Sequence, residues 1–124
     1  MRRNFSSYTP FGSIVSYDTI QAENTSATTL LSNASSSGLV YKVESLTCAN
    51  VTGSNATVTV SVNSAASGGG TAYRLAYQIS VPAGASLIVT DKSTAFYLME
   101  NQSVVVTAGT ANYLEVVASY EQIS

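Results

Sequence analysis

The chain has 124 residues and a mass of 12.9 kDa, the size of one domain and too short for a second independent core. Hydrophobic residues make up 45% of it but charged residues only 10%, with 5 basic against 7 acidic groups and a net charge of -2; so mild an imbalance cannot neutralise a run of phosphates and sets nucleic acid aside as a partner. There is no His, no Trp and a single cysteine, Cys48, which excludes His-based catalytic triads, Cys/His zinc sites and an intrachain disulfide.

Residues 1–25 read as an extended N-terminal arm. Phe5, Tyr8, Phe11 and Tyr17 stand among Ser and Thr, Pro10-Phe11-Gly12 has turn composition, and no alternation is sustained. Aromatic anchors in an extended segment suit docking on a neighbouring molecule, so these four residues are the expected assembly interface. Arg2-Arg3 opens the chain, but neither an apolar stretch nor a small-residue cleavage site follows, and no export signal is expected. No run approaches the roughly 18 apolar residues of a membrane-spanning helix, and no membrane partner is expected.

From residue 26 to 124 the pattern has the period of two that belongs to strands, in a sequence rich in Val, Thr, Ile, Tyr and Leu. Thr28–Ser32 is the first predicted strand, followed by the turn-rich segment 33–38. Leu39–Ala49 is long for a strand, and its apolar register changes between Val43 and Leu46, which predicts a bulge near Glu44-Ser45. Thr57–Val62 alternates valines with hydroxyl residues. After the Gly-rich loop 63–70, Tyr73, Leu75, Tyr77, Ile79 and Val81 fall on one face, so the two strands read as a hairpin with a mobile tip. Pro82-Ala83-Gly84 is a turn; strands over 86–89, 95–98, 103–108 and 113–121 complete the count, with Leu114, Val116, Ala118 and Tyr120 on one face of the last. About eight short strands with frequent turn signals predict an all-β, antiparallel two-sheet sandwich, jelly-roll or immunoglobulin-like, because periodicity leaves strand order open.

Little in this pattern carries chemistry. The acids are Asp18, Glu23, Glu44, Asp91, Glu100, Glu115 and Glu121; Glu44 and Glu115 could share a strand face, but exposed strand acids serve solubility and edge protection. No serine lies in a Gly-X-Ser-X-Gly or Ser-X-X-Lys pattern, and Gly68-Gly69-Gly70-Thr71 lacks the lysine and helix of a phosphate loop. No Asp/Asn cluster has the alternating spacing of a calcium loop, so the expectation is a protein without catalytic residues, metal or other cofactor. Tyr73, Tyr77, Tyr97 and Tyr113 could form a sugar-stacking platform, although Tyr73 and Tyr77 read better as core or subunit-interface residues. Six Asn-X-Ser/Thr triplets, at Asn4, Asn24, Asn33, Asn50, Asn55 and Asn101, read as a by-product of Asn/Thr-rich turns rather than glycan acceptors. Cys48 reads as a core residue of a protein made in reducing cytoplasm.

The stretch Ile79-Ser80-Val81-Pro82-Ala83-Gly84-Ala85-Ser86-Leu87-Ile88-Val89, then Asp91-Lys92, Tyr97–Val104 and the ending Leu114–Ser124, resembles small all-β virion structural proteins of tailed bacteriophages, notably those infecting cyanobacteria. The resemblance covers residues 38–124 and not the arm. It implies a non-enzymatic virion structural protein, a homo-oligomer with no catalytic residues to carry over, made in the host bacterial cytoplasm. A capsid decoration (cement) protein that stabilises the head is the first expectation, as a trimer contacting its sister subunits and the major capsid protein. A neck or tail component, as an adaptor or ring subunit, is the second. A carbohydrate-binding module for host adhesion is the third.

Overall fold

The computed structural model describes residues 13–21 and 25–123, with side chains from residue 25 onward. Among the described residues the regular structure is nine strands and one 3-10 turn: β1 (Ser13–Gln21), β2 (Thr28–Asn33), β3 (Val40–Asn50), β4 (Ala56–Asn63), β5 (Ala72–Val81), β6 (Ser86–Thr90), β7 (Phe96–Leu98), β8 (Gln102–Ala108) and β9 (Leu114–Ile123). They form two antiparallel sheets. One, the A sheet, runs β1-β9-β3-β6 with β7 also on β3; the other, the B sheet, runs β2-β8-β4-β5.

The order resolves what periodicity left open. Strand β6 pairs with β3 at Leu46–Ala49 and β7 pairs with it at Tyr41–Val43, so the two are collinear pieces of one edge, interrupted by the 3-10 turn Lys92–Thr94. Taken together they leave eight positions paired in a nested way, β1 with β9, β2 with β8, β3 with β6/β7 and β4 with β5. A long hairpin folded over on itself in this manner is a jelly roll rather than an immunoglobulin-like sandwich.

Between the sheets lies one apolar core. Val43, Leu46 and Cys48 from β3 and Leu114, Val116 and Ala118 from β9 meet Val58 and Val60 from β4 and Val104 and Val106 from β8. Tyr41 and Tyr120, with ring centroids 5.1 Å apart, pack against one end of it. The predicted bulge is present: Val43 pairs with Tyr120 and Ser45 with Ser119, leaving Glu44 as the extra residue, which returns Leu46 to the inner face. At Pro82–Ala85 the Ala85 amide donates to the Pro82 carbonyl at 3.0 Å, and Gly84 takes the positive φ of 70° that such a turn requires.

Two sequence expectations change. Ser13–Gln21, read as part of the arm over 1–25, is a strand of the sandwich, in register with β9 from Ser13 opposite Ile123 to Gln21 opposite Glu115. Its β-branched and aromatic residues favour an extended strand, while an edge position does not demand the alternation that a strand buried on one face shows. The second change is at the β4–β5 tip. Residues 64–70 fold back over the outer face of the B sheet, where Ser32 Oγ donates to Ala66 O at 2.7 Å, Ser103 Oγ to Ala65 O at 2.7 Å and Asn63 Nδ2 to Gly68 O at 2.8 Å. The Ala66 amide in turn donates to Asn101 Oδ1 at 3.2 Å.

Candidate functional site

The tyrosine-rich strand β5 forms the free edge of the B sheet, and its sequence dictates an unusual presentation. Val58 pairs with Ile79, Val60 with Ala76 and Ser61 with Arg74, so extra residues are inserted into β5 on both sides of Ala76. Two bulges in ten residues break the simple alternation that the sequence suggests. Gln78 adopts a positive φ of 49° at the second bulge, and its amide donates to Thr59 Oγ1 at 3.0 Å, which anchors the irregularity to β4.

As a consequence the large apolar residues of β5 before Val81 stay out of the core, and only Ala76 packs against it. Tyr73 is 64% exposed and Tyr77 58%, with Leu75 and Ile79 also open to solvent; only Val81 is buried. Reading Tyr73 and Tyr77 as core residues is therefore corrected. Arg74, the one charge on the strand, lies with its guanidinium carbon 5.3 Å from the centroid of the Tyr77 ring. Tyrosine, arginine and aliphatic residues grouped on a solvent-facing edge are the composition of a protein-binding surface, and exposed Leu75 and Ile79 have no solubility role.

The other sequence candidates scatter. Phe5, Tyr8 and Phe11 lie outside the described residues, while Tyr17 sits in β1 opposite Ser119. Tyr97 is exposed on β7 in the other sheet and Tyr113 is half-buried against the core, so the four tyrosines weighed as a sugar platform occupy separate places. The acids scatter as well. Glu44 occupies the β3 bulge beside Ser119 of β9, and Glu115 lies four residues further along β9, about 13 Å away at the rise of a strand, outside the separation of a glycosidase pair. Glu100 Oε2 accepts the Gly38 amide at 2.6 Å. Asp91 caps the 3-10 turn, where the Ser93 hydroxyl and amide, donating at 2.6 and 3.0 Å, hold its carboxyl below the usual range. Among the described residues no group of three or more His, Cys, Asp or Glu could hold a metal ion.

Two of the Asn-X-Ser/Thr triplets turn out to be structural. Asn33 Nδ2 donates to Leu39 O at 2.9 Å and Leu98 O at 3.1 Å while its Oδ1 accepts Ser37 Oγ at 2.6 Å. At the end of β3 Asn50 repeats the device, donating to Ser54 O at 2.7 Å and Val81 O at 3.0 Å and accepting from the Thr52 amide and hydroxyl. Both amides are buried and committed, so neither can carry a glycan in the folded chain.

Cys48 is fully buried beneath β3, and desolvation pushes its thiol up to about 11, where it is a poor nucleophile. No helix among the described residues is long and apolar enough to cross a membrane.

No family model and no curated protein matches the chain. A solved chain from the appendages of Bacillus endospores, described as a novel family of disulfide-linked pili, shares the fold, with a TM-score of 0.54 at 15% sequence identity over 91% of this chain and 88% of that one.

Proposed function

We propose that this chain is a non-enzymatic structural subunit that repeats within a large assembly, and that its station is the surface of a phage head, as a decoration protein. One observation carries the reading: β5 presents Tyr73, Leu75, Tyr77 and Ile79 to solvent beside Arg74, in a chain of which only 10% of the residues are charged. An apolar edge of this length on a free monomer is an aggregation hazard, so a partner that covers it is the economical explanation. The resemblance of residues 38–124 to phage virion structural proteins supports a place in a virion, and the size of the chain favours the head surface over the neck or tail. Phe5, Tyr8 and Phe11 offer a second contact, to the capsid lattice or a sister subunit.

The likeness to an endospore pilus chain favours a second reading, a filament subunit. Disulfide linkage belongs to that protein; here the lone cysteine is buried, so a filament of this chain would be held by non-covalent contacts. The two readings differ in closure, because a repeating contact that closes makes a ring and one that does not makes a fibre. Mass photometry and negative-stain microscopy of the purified full chain separate them. A discrete trimer that binds expanded capsids supports the decoration reading, long fibres support the filament, and a monomer at all concentrations that binds no capsid removes both.

A further inference from the structure

A second apolar surface lies on the other layer of the sandwich. Across the outer face of the A sheet, Val117 of β9, Thr47 of β3 and Ile88 of β6 stand in one row. Ile88 is 63% exposed and Val117 39%, and the rows on either side contain Ser86, Ala49 and Glu115 or Ser45 and Ser119. Apart from Glu115, the β3, β6 and β9 neighbours in those rows are small, which leaves the two aliphatic side chains open to solvent. The outer face of the B sheet differs, because its own 64–70 loop covers part of it.

Charge then distinguishes the two surfaces. Lys42 is in register with Glu121, but Glu115, beside the Ile88–Val117 row, has Ala49 and Gln21 for strand partners and no cation across from it. The β5 strip carries one positive charge, Arg74, and no negative one. Packing β5 against β5 of a second copy would bring two arginines into one interface, whereas β5 against the A sheet brings Arg74 toward Glu115. Resting on the reading that the chain assembles with itself, we propose that copies dock head to tail, the β5 strip of one seating on the A-sheet face of the next around Ile88 and Val117, with Arg74 facing Glu115. Such a contact is heterologous, so an open assembly keeps one surface of each kind free, at its two ends, and only ring closure uses both.

Crosswise complementation tests this. Y77S/I79K removes the strip and I88K/V117K removes the apolar A-sheet patch; all four side chains are exposed, and circular dichroism checks that both full-length variants fold. Sedimentation velocity should find the unmodified chain in species larger than a dimer, each variant alone as a monomer, and an equimolar mixture as a one-to-one heterodimer that grows no further. R74E and E115R should each weaken association about tenfold or more, and the double variant R74E/E115R should recover most of that loss. If I88K/V117K alone still dimerises, or the mixture stays monomeric while the unmodified chain assembles, this docking is wrong and the assembly reading stands. A native chain that stays monomeric at every concentration overturns both.

Discussion

Asn33 shows how one buried polar side chain can hold together segments that apolar packing alone does not fix. Buried completely, it ties the β2 end to the 34–39 turn and to β7, and it satisfies the buried Leu98 carbonyl and the part-buried Leu39 carbonyl. Asn33→Ala strands both acceptors and should lower unfolding stability by roughly 1–3 kcal/mol in a urea titration; Asn33→Asp, which replaces the donor with oxygens facing oxygens, should cost more. Cys48 offers a test of the opposite kind, read through pH. Its thiol has an ordinary value of 9.0 and is pushed up to about 11 in the fold, so an unfolded chain releases the proton before the folded one does. The associated stability is intact below about pH 9 and is lost as pH climbs toward about 11, by up to roughly 2–3 kcal/mol. Subtracting the alkaline unfolding curve of Cys48→Ala from that of the native chain isolates this contribution from the tyrosines. Under native conditions near neutral pH a thiol reagent should label Cys48 only at the rate of opening.

At the scale of elements, legibility in the sequence followed burial. Leu114, Val116 and Ala118 of β9 alternate cleanly because that strand has a neighbour on each side and the opposing sheet beneath it, and all three are buried. The β3 bulge was legible for the same reason: Val43 and Leu46 must both reach the core. Strand β5 misled because its alternation is real in sequence but is interrupted in space by two bulges, whose hydrogen bonds leave no trace in residue type. Strand β1 was hidden because an edge strand needs little periodicity. The apolar strip was thus visible as a set of residues but not as a surface. The 64–70 loop was hidden in another way, since Ser and Gly composition suits a free tip as well as a folded one. What fixes it is contact: Gly68 has φ of 90°, and a side-chain carbon there would run into Thr29 Oγ1. Gly68→Ala should therefore lift the loop and cost about 1–3 kcal/mol, read as faster amide exchange at Ala66 and a lower denaturation midpoint.

For the whole molecule the nested pairing has a specific consequence. Every strand pair except β4 with β5 joins segments distant in sequence, and β9 is clasped between β1 on one side and β3 on the other. Residues 13–21 therefore belong to the sandwich, and truncations on either side of Ser13 should behave differently. A chain starting at Ser13 retains every described strand and should unfold at nearly the native urea midpoint. One starting at Ala22 loses β1, opening the ladder of β9 from Glu115 to Ile123 along one full edge and exposing the groups that bonded to Ser13–Gln21. That chain should lose about 3 kcal/mol or more and should aggregate through the new edge, since β9 is long and has no proline to blunt it. Urea denaturation with light scattering reads both effects. Equal stability for the two truncations would show that β1 is a dispensable attachment rather than part of the jelly roll. A stable, monodisperse shorter chain that no longer assembles would instead transfer the assembly contact from β5 to the first strand.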